Sequence, residues 1–220
     1  MFTTSQLVAA NAGLSRRSLL GMAAVASLPM LGSAHAEPAH AGATATITQF
    51  NAALVAAMKA GGHTGFNQRF DALAPAVDQA FDLPAVLAVS VGLGWTNLSP
   101  DQQARLLSAF RRYTVASYVA NFDNYAGQTF SVAPETRRLD ADQVVVQSHI
   151  IPANGQPTEL DYVMRQTSSG WKIVDVLAAG SISRVAVQRS DFRRLLARGG
   201  PQALAESLRS KSADLSDGQS

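Results

Sequence analysis

The sequence lacks cysteine, although it runs to 220 residues. This absence excludes disulfides, a catalytic thiol and thiolate metal ligands. The chain also has only four histidines, and none forms a His-x-x-x-His pair or joins a carboxylate cluster at metal-ligand spacing. No glycine-rich phosphate loop follows a predicted strand, and no serine lies in a nucleophile-elbow sequence. We therefore expect no metal, no other cofactor and a fold held together by packing alone.

Charged residues are also few, and neither sign dominates. Only 15% of the residues are charged, with 18 Lys and Arg against 16 Asp and Glu. Arg16 and Arg17 lie in a segment without any acid, and the two signs balance in the rest of the chain. Nucleic-acid binding depends on a concentrated cationic surface. We therefore expect no nucleic-acid partner.

Residues 1–36 have the pattern of an export signal peptide. Two arginines precede an apolar run from Leu19 to Leu31, and Ala34-His35-Ala36 has the small-x-small pattern of a cleavage site. The run is too short to span a bilayer comfortably. The segment Ser15-Arg16-Arg17-Ser18-Leu19-Leu20 resembles a twin-arginine signal, and the Sec route remains open. No apolar segment of membrane-spanning length follows, so we expect a periplasmic protein, soluble and monomeric after cleavage.

Hydrophobic periodicity predicts helices after an Ala/Gly/Pro-rich flexible linker at residues 37–45. One helix should run from Thr46 to the glycines at 61–62, and Pro75 should divide the next one. Ser99-Pro100-Asp101-Gln102 is a capping box with proline at the first helical position. A long helix is therefore predicted from there to about Phe122.

Past Gly127 the apolar period changes from helical to alternating. Four strands are predicted, at residues 129–139, 143–151, 158–167 and 171–177. The loops between them are short, so neighbouring strands should be antiparallel. Helices at 188–197 and 201–210 and a polar tail at 212–220 complete the chain. This order predicts an α+β fold, with a curved antiparallel sheet of about four strands and helices on one face.

The strand alternation gives the sheet one apolar and one mixed face. Val146 and Tyr162 fall on the apolar side, whereas His149 and Asp161 fall on the other. Periodicity cannot distinguish a filled core from a cavity lined by the same side chains. His149 and Asp161 are candidate acid and base for a cavity enzyme, but their placement favours ordinary surface roles.

Several short motifs together resemble the MlaC family, also called the toluene-tolerance auxiliary family. They are Phe81-Asp82, Trp95 before Ser99-Pro100, Tyr125-x-Gly127, Gly170-Trp171-Lys172-Ile173-x-Asp175-Val176 leading to Gly180-x-x-Ser183, and Arg189-x-x-Phe192 with Gly199-Gly200. The likeness extends from about residue 47 to 208. Members of this family are exported lipid-binding components of ABC-type lipid transport systems. The wording at residues 180–183 and 187–190 also resembles the hopanoid-associated HpnM branch.

The resemblance implies an NTF2-like lipid-binding domain at residues 46–211, in which sheet and helices enclose an apolar pocket. It implies a carrier of phospholipid or hopanoid-type lipid between membrane-embedded transport complexes, without catalysis. Under this interpretation Val146→Lys or Tyr162→Lys would remove the lipid and leave the fold intact. The expected lipid-binding wall is Leu106, Phe110, Tyr113, Val144, Val146, Ile150, Leu160, Tyr162, Met164 and Ile173.

Three points stay open. Each predicted wall residue is equally suited to a filled core. An NTF2-like cavity enzyme acting on a small apolar substrate and a ligand-free adaptor between membrane complexes are alternatives to the carrier. The basic side chains of Arg184, Arg189, Arg193 and Arg194 suit an acidic partner, a lipid phosphate or a solvated helix face.

Overall fold

The structure is a computed structural model that describes residues 40–61 and 63–218. The predicted export signal at 1–36 and the first part of the predicted linker lie outside these residues. Within the described part of the chain, no helix is both long and apolar enough to cross a membrane.

The first half is helical, as predicted. Its elements are α1 (Ala41–Ala60), α2 (Phe66–Ala80), α3 (Leu83–Val91), a 3-10 helix (Gly92–Asn97) and α4 (Pro100–Asn121). The predicted capping box is confirmed, because the Ser99 hydroxyl accepts from the Gln102 backbone N–H while the Gln102 side chain accepts from the Ser99 N–H. Asp82 caps α3 by accepting from the backbone N–H of Ala85 at 3.0 Å.

Two helix predictions need correction. The first helix starts at Ala41, so residues 41–45, expected in the linker, are helical. The prediction that Pro75 divides the second helix is wrong, because α2 is continuous through it. Pro75 and Asp71 are both exposed. Pro75 has no backbone N–H to donate to the Asp71 carbonyl oxygen. Because this oxygen lies at the surface, it can bond to water instead.

Within the described residues the strands form one five-stranded antiparallel sheet in sequential order. The α+β prediction is confirmed, with a short fifth strand added to the four expected. The strands are β1 (Thr129–Arg138), β2 (Gln143–Ile151), β3 (Thr158–Thr167), β4 (Gly170–Ala178) and β5 (Ile182–Ser183).

The C-terminal segment is helical from Arg184 to Asp217 (α5), with a break at Gly199 and Gly200. Gly200 has φ +64° and ψ −161°, a conformation open essentially to glycine. Two helices were predicted here, and the break separates them. Residues 212–217, expected in the polar tail, continue the second helix because Ser212 is buried and its hydroxyl bonds to the Leu208 carbonyl oxygen.

The helices cover the apolar face of the sheet unevenly. α1 lies over it, with the Phe50 ring 6.4 Å from the Tyr162 ring, and α4 packs beside α5. The residue after α2 joins the sheet, since Phe81 forms a parallel bridge with Ile173. Under α1 the face is sealed. Between α4, α3 and the start of α5 it is not, and this gap holds the candidate site.

Candidate functional site

A cavity of about 300 Å³ lies between α4, α3, the start of α5 and the far end of the sheet. Its size is at the lower end of ligand pockets in proteins. Most of the wall is aliphatic or aromatic. The lining residues are Phe81, Leu83, Val86, Phe110, Tyr113, Thr114, Ser117, Tyr118, Asn121, Phe122, Ile150, Leu160, Asp175, Val176, Ala178, Arg184, Val185 and Gln188.

Aromatic rings in mutual contact form the helical side of the cavity. Tyr118 is the centre of this group, with its ring 5.7 Å from Phe81 and stacked on Phe122 at 6.0 Å. Phe50, behind the wall, meets Tyr118 edge-on at 5.1 Å. Such interlocked rings are stiff and apolar. Their mutual contacts hold this side of the cavity together.

The cavity also has a polar strip. Thr114, Ser117 and Asn121 succeed one another along one side of α4, at spacings of three and four residues, and are only partly covered or exposed. Arg184 and Gln188 stand one turn apart on α5. The pocket is therefore amphipathic: apolar over most of its wall, with hydrogen-bonding groups where it meets solvent.

Of the described residues that line the cavity, Asp175 is the one acid. Its oxygens are already engaged. One accepts from the backbone N–H of Val176 at 2.7 Å and from that of Val185 at 3.0 Å, and the other accepts from the Ser183 hydroxyl. The Ser183 hydroxyl in turn accepts from the Ala186 N–H. Asp175 thus fixes the start of α5 against β4, and its role is structural.

Two tyrosines, Tyr118 in the cavity wall and Tyr162 in the core, are held in the neutral form. Burial raises the pKa of Tyr118, and the nearby Arg184 lowers it by a smaller amount. Burial also raises the pKa of Tyr162 well above its usual value, with the neighbouring Tyr118 adding to the effect. The Tyr162 hydroxyl lies 3.5 Å from the Asn51 side-chain oxygen. Both phenols therefore keep their protons at neutral pH.

The structure places the ten predicted wall residues in two groups. Phe110, Tyr113, Ile150 and Leu160 line the cavity. The other six are at most 1% exposed and pack in the hydrophobic core instead: Leu106, Val144, Val146, Tyr162, Met164 and Ile173. The physical reason is coverage, since α1 fills the space above the middle of the sheet. Alternation identifies a face of the sheet without indicating which part of it a helix covers.

Neither candidate for an acid–base pair lines the cavity. Asp161 is buried and accepts from the Ser148 backbone N–H at 3.1 Å, and His149 is half-buried on the neighbouring strand. Among the residues that the structure describes, no group of three or more His, Cys, Asp or Glu side chains could hold a metal ion. The arrangement suits binding of an apolar molecule with a polar end.

Sequence reasoning missed most of the cavity's helical and edge residues. The apolar stripe of α4, followed for two turns past Tyr113, leads to Ser117 and Asn121, so this part could have been found. Leu83 and Arg184 reach the cavity from α3 and α5. These two elements are brought together by packing between distant segments, which no local pattern indicates.

Comparison with known proteins identifies a similar solved structure and a matching family. A solved structure of a phospholipid-binding protein from Ralstonia solanacearum, in complex with a phospholipid, is similar in fold, with a TM-score of 0.68 and 23% identity over 81% of this chain and 98% of that one. The family described as MlaC protein matches residues 48–210, which span every cavity residue. Because this match covers well over half of the sequence, the chain belongs to the MlaC family.

Proposed function

We propose that this protein is a lipid carrier that binds a phospholipid by its acyl chains. The observation that carries the proposal is the amphipathic cavity, whose apolar wall ends at Arg184 and Gln188. Membership of the MlaC family and the likeness in fold to a phospholipid-bound protein support it.

The energetics explain why a carrier needs such a cavity. Each methylene transferred from water is worth about 0.8 kcal/mol, so exposing a chain of about 16 carbons would cost on the order of 12 kcal/mol. A cavity lined by Phe110, Ile150 and Leu160 removes this cost, while a polar headgroup can stay in water. Reversible binding of this kind requires no catalytic residue.

The cavity also sets the mode of binding. At about 300 Å³ it suits one acyl chain better than two. A second chain would therefore need α5 or the sheet edge to move outward. The proposed place of action is the periplasm, between membrane-embedded lipid transport complexes of the ABC type, and a monomer is sufficient for this role.

A hopanoid-type lipid is the second candidate cargo. The rings of Phe81, Tyr118 and Phe122 form an apolar wall, and the hydrocarbon face of a saturated fused-ring lipid can pack against it by dispersion contacts. A phosphate would give the exposed Arg184 side chain an anionic partner that an uncharged hopanoid does not offer, and for this reason we favour the phospholipid.

The test is native mass spectrometry of protein purified from its own periplasm without detergent, followed by extraction and identification of the bound species. A stoichiometric phospholipid is expected. A bound hopanoid would make the hopanoid-type lipid the cargo in place of the phospholipid. A mass without bound lipid that persists after incubation with vesicles of either lipid would reject the carrier function.

Two matched variants tie the binding to the cavity. Leu160→Lys puts a cation into the lining, whereas Leu93→Lys makes the same change at a side chain that is 92% exposed and does not belong to the lining. We expect Leu160→Lys to lose bound lipid while Leu93→Lys keeps it. Equal lipid content in the two variants would contradict the proposed site.

A further inference from the structure

The arginines of α5 have different surroundings. Arg194 bonds to Asp191, and Arg189 lies with its guanidinium beside Gly92. Arg184 and Arg193 are both exposed, but Arg193 does not line the cavity. Among the described lining residues Arg184 is the one cation. The basic cluster seen in the sequence is thus not a single surface, and one member differs from the rest by facing the pocket.

Arg184 has no ion pair and no hydrogen bond within the part of the chain that the structure describes. Asp175, the one acid among the described lining residues, bonds instead to Ser183 and two backbone N–H groups. A guanidinium offers five donors in a fixed fork. These donors are available to a ligand in the cavity.

The position of Arg184 is fixed by the elements around it. Ser183 pairs with Leu177 across β5 and β4, and its side chain caps α5. The first N–H groups of α5 are already bonded, that of Val185 to Asp175 and that of Ala186 to Ser183. The helix terminus therefore adds only a favourable field, and the guanidinium has to supply the hydrogen bonds.

The polar groups across the cavity complete the site. Tyr118 interacts electrostatically with Arg184 and lines the same cavity, so the two side chains face a common space. Gln188, one turn further along α5, adds an amide that can donate. An anionic group held between them would leave its apolar tail directed along Phe110 and Val176.

We infer that Arg184 binds the phosphate of the cargo's headgroup and so selects phosphate-bearing lipids over uncharged lipids with the same tails. The inference rests on the proposed carrier function and names the class of cargo within it. Charge-assisted, bidentate pairing of arginine with phosphate is the interaction that gives this selectivity.

The experiment is a competition between phosphatidylglycerol and diacylglycerol with identical acyl chains, supplied in equal amounts from cyclodextrin and counted by native mass spectrometry. The wild-type protein should prefer phosphatidylglycerol by about tenfold, as expected for hydrogen bonds to a charged group. Arg184→Gln should reduce the ratio to about one without weakening diacylglycerol binding, and Arg184→Lys should keep part of the preference.

Arg193→Gln is the matched control, because it removes an exposed arginine of the same helix that does not line the cavity. It should leave the ratio unchanged. An excess of inorganic phosphate should also leave the ratio of the wild-type protein unchanged. If inorganic phosphate abolishes the preference for phosphatidylglycerol, the site binds free phosphate and not the lipid headgroup.

The outcomes separate this inference from the carrier function. If wild type binds both lipids equally, or if Arg184→Gln keeps the tenfold preference, the carrier function stands and the role of Arg184 is overturned. If wild type binds neither lipid, the carrier function itself fails.

Discussion

The apolar face of the sheet has two halves that differ in what covers them. In the sealed half, under α1, Val146, Tyr162 and Met164 have no exposed surface and contact other core side chains. In the open half, at the ends of β2, β3 and β4, Ile150 and Leu160 are only partly buried and line the cavity. Both halves have the same alternating pattern of apolar residues.

The same alternating strand pattern can therefore contribute to stability in one part of the sheet and to ligand binding in another. A side chain in the sealed half is surrounded on all sides, so any change in its size or charge must be absorbed by neighbours. A side chain in the open half has free space beside it. Substitutions of the same type should therefore affect stability in one half and cargo in the other.

The largest expected effect comes from a buried charge. Val146→Lys should lower the free energy of unfolding by about 4 kcal/mol, because the ammonium would lie unpaired in the sealed core. Leu160→Lys should cost under about 1.5 kcal/mol, since its ammonium can reach solvent through the cavity. Denaturant unfolding followed by circular dichroism measures both values.

This prediction replaces the expectation from the sequence that Val146→Lys would spare the fold. Equal losses of stability in the two variants would show that the halves do not differ as described.

The second test adds the same volume to the packed core and to the cavity. Ala116→Phe, at a site that is 1% exposed, should destabilise by about 2 kcal/mol because a packed core has no room for the ring. Ala178→Phe puts the same ring into the cavity. It should leave stability nearly unchanged and reduce bound lipid, as measured by thermal unfolding and by extraction. If Ala178→Phe retains full lipid content, the cavity is not where the acyl chain lies.

The third prediction concerns alkaline pH. Since the pKa of Tyr162 is raised in the folded state, the folded protein keeps this proton where the unfolded chain loses it. Its contribution to stability is therefore complete below the unfolded pKa of 10.0 and is lost as pH rises above it. Urea unfolding at a series of pH values should show stability falling above pH 10.

Tyr162→Phe should make that fall shallower. The total loss of stability should be smaller by about 1.4 kcal/mol for each unit by which folding raises the pKa of Tyr162. At neutral pH the same variant should cost under about 1 kcal/mol, because the hydroxyl makes only a 3.5 Å contact with Asn51. An unchanged alkaline slope would mean that Tyr162 is not the group responsible.

The smallest effect is expected at a boundary residue of the sealed half. Ser148 has no exposed surface, and its hydroxyl lacks a hydrogen-bond partner among the described residues. Ser148→Ala should therefore change the free energy of unfolding by less than about 0.5 kcal/mol. The matched variant Ser90→Ala removes a buried hydroxyl that donates to the Val86 carbonyl oxygen at 2.8 Å, and should cost about 1 kcal/mol.

A loss at Ser148 as large as the loss at Ser90 would indicate that the Ser148 hydroxyl has a partner in solution, such as a bound water.

Local chemistry explains which parts of the fold were predictable. The capping box at Ser99 and the short turns between β2, β3 and β4 act within a few residues, so the chain specifies them without help from distant segments. Pro75 was misjudged because its effect depends on whether the carbonyl it frees meets solvent, and that depends on the packing of α2. The extent of α1 into the expected linker was missed for a related reason, since Ala43 and Ile47 are buried against the rest of the domain.

The sequence alone determined the α+β order of elements and the apolar face of the sheet. Tertiary structure alone decided that Phe110, Tyr113, Ile150 and Leu160 border a cavity while the other six predicted residues fill a core. It also decided that Arg184, and none of the other three arginines near it, lines the cavity. The physical reason is that periodicity records which side of an element is apolar, whereas the space left above that side depends on how helices far apart in the chain pack against it.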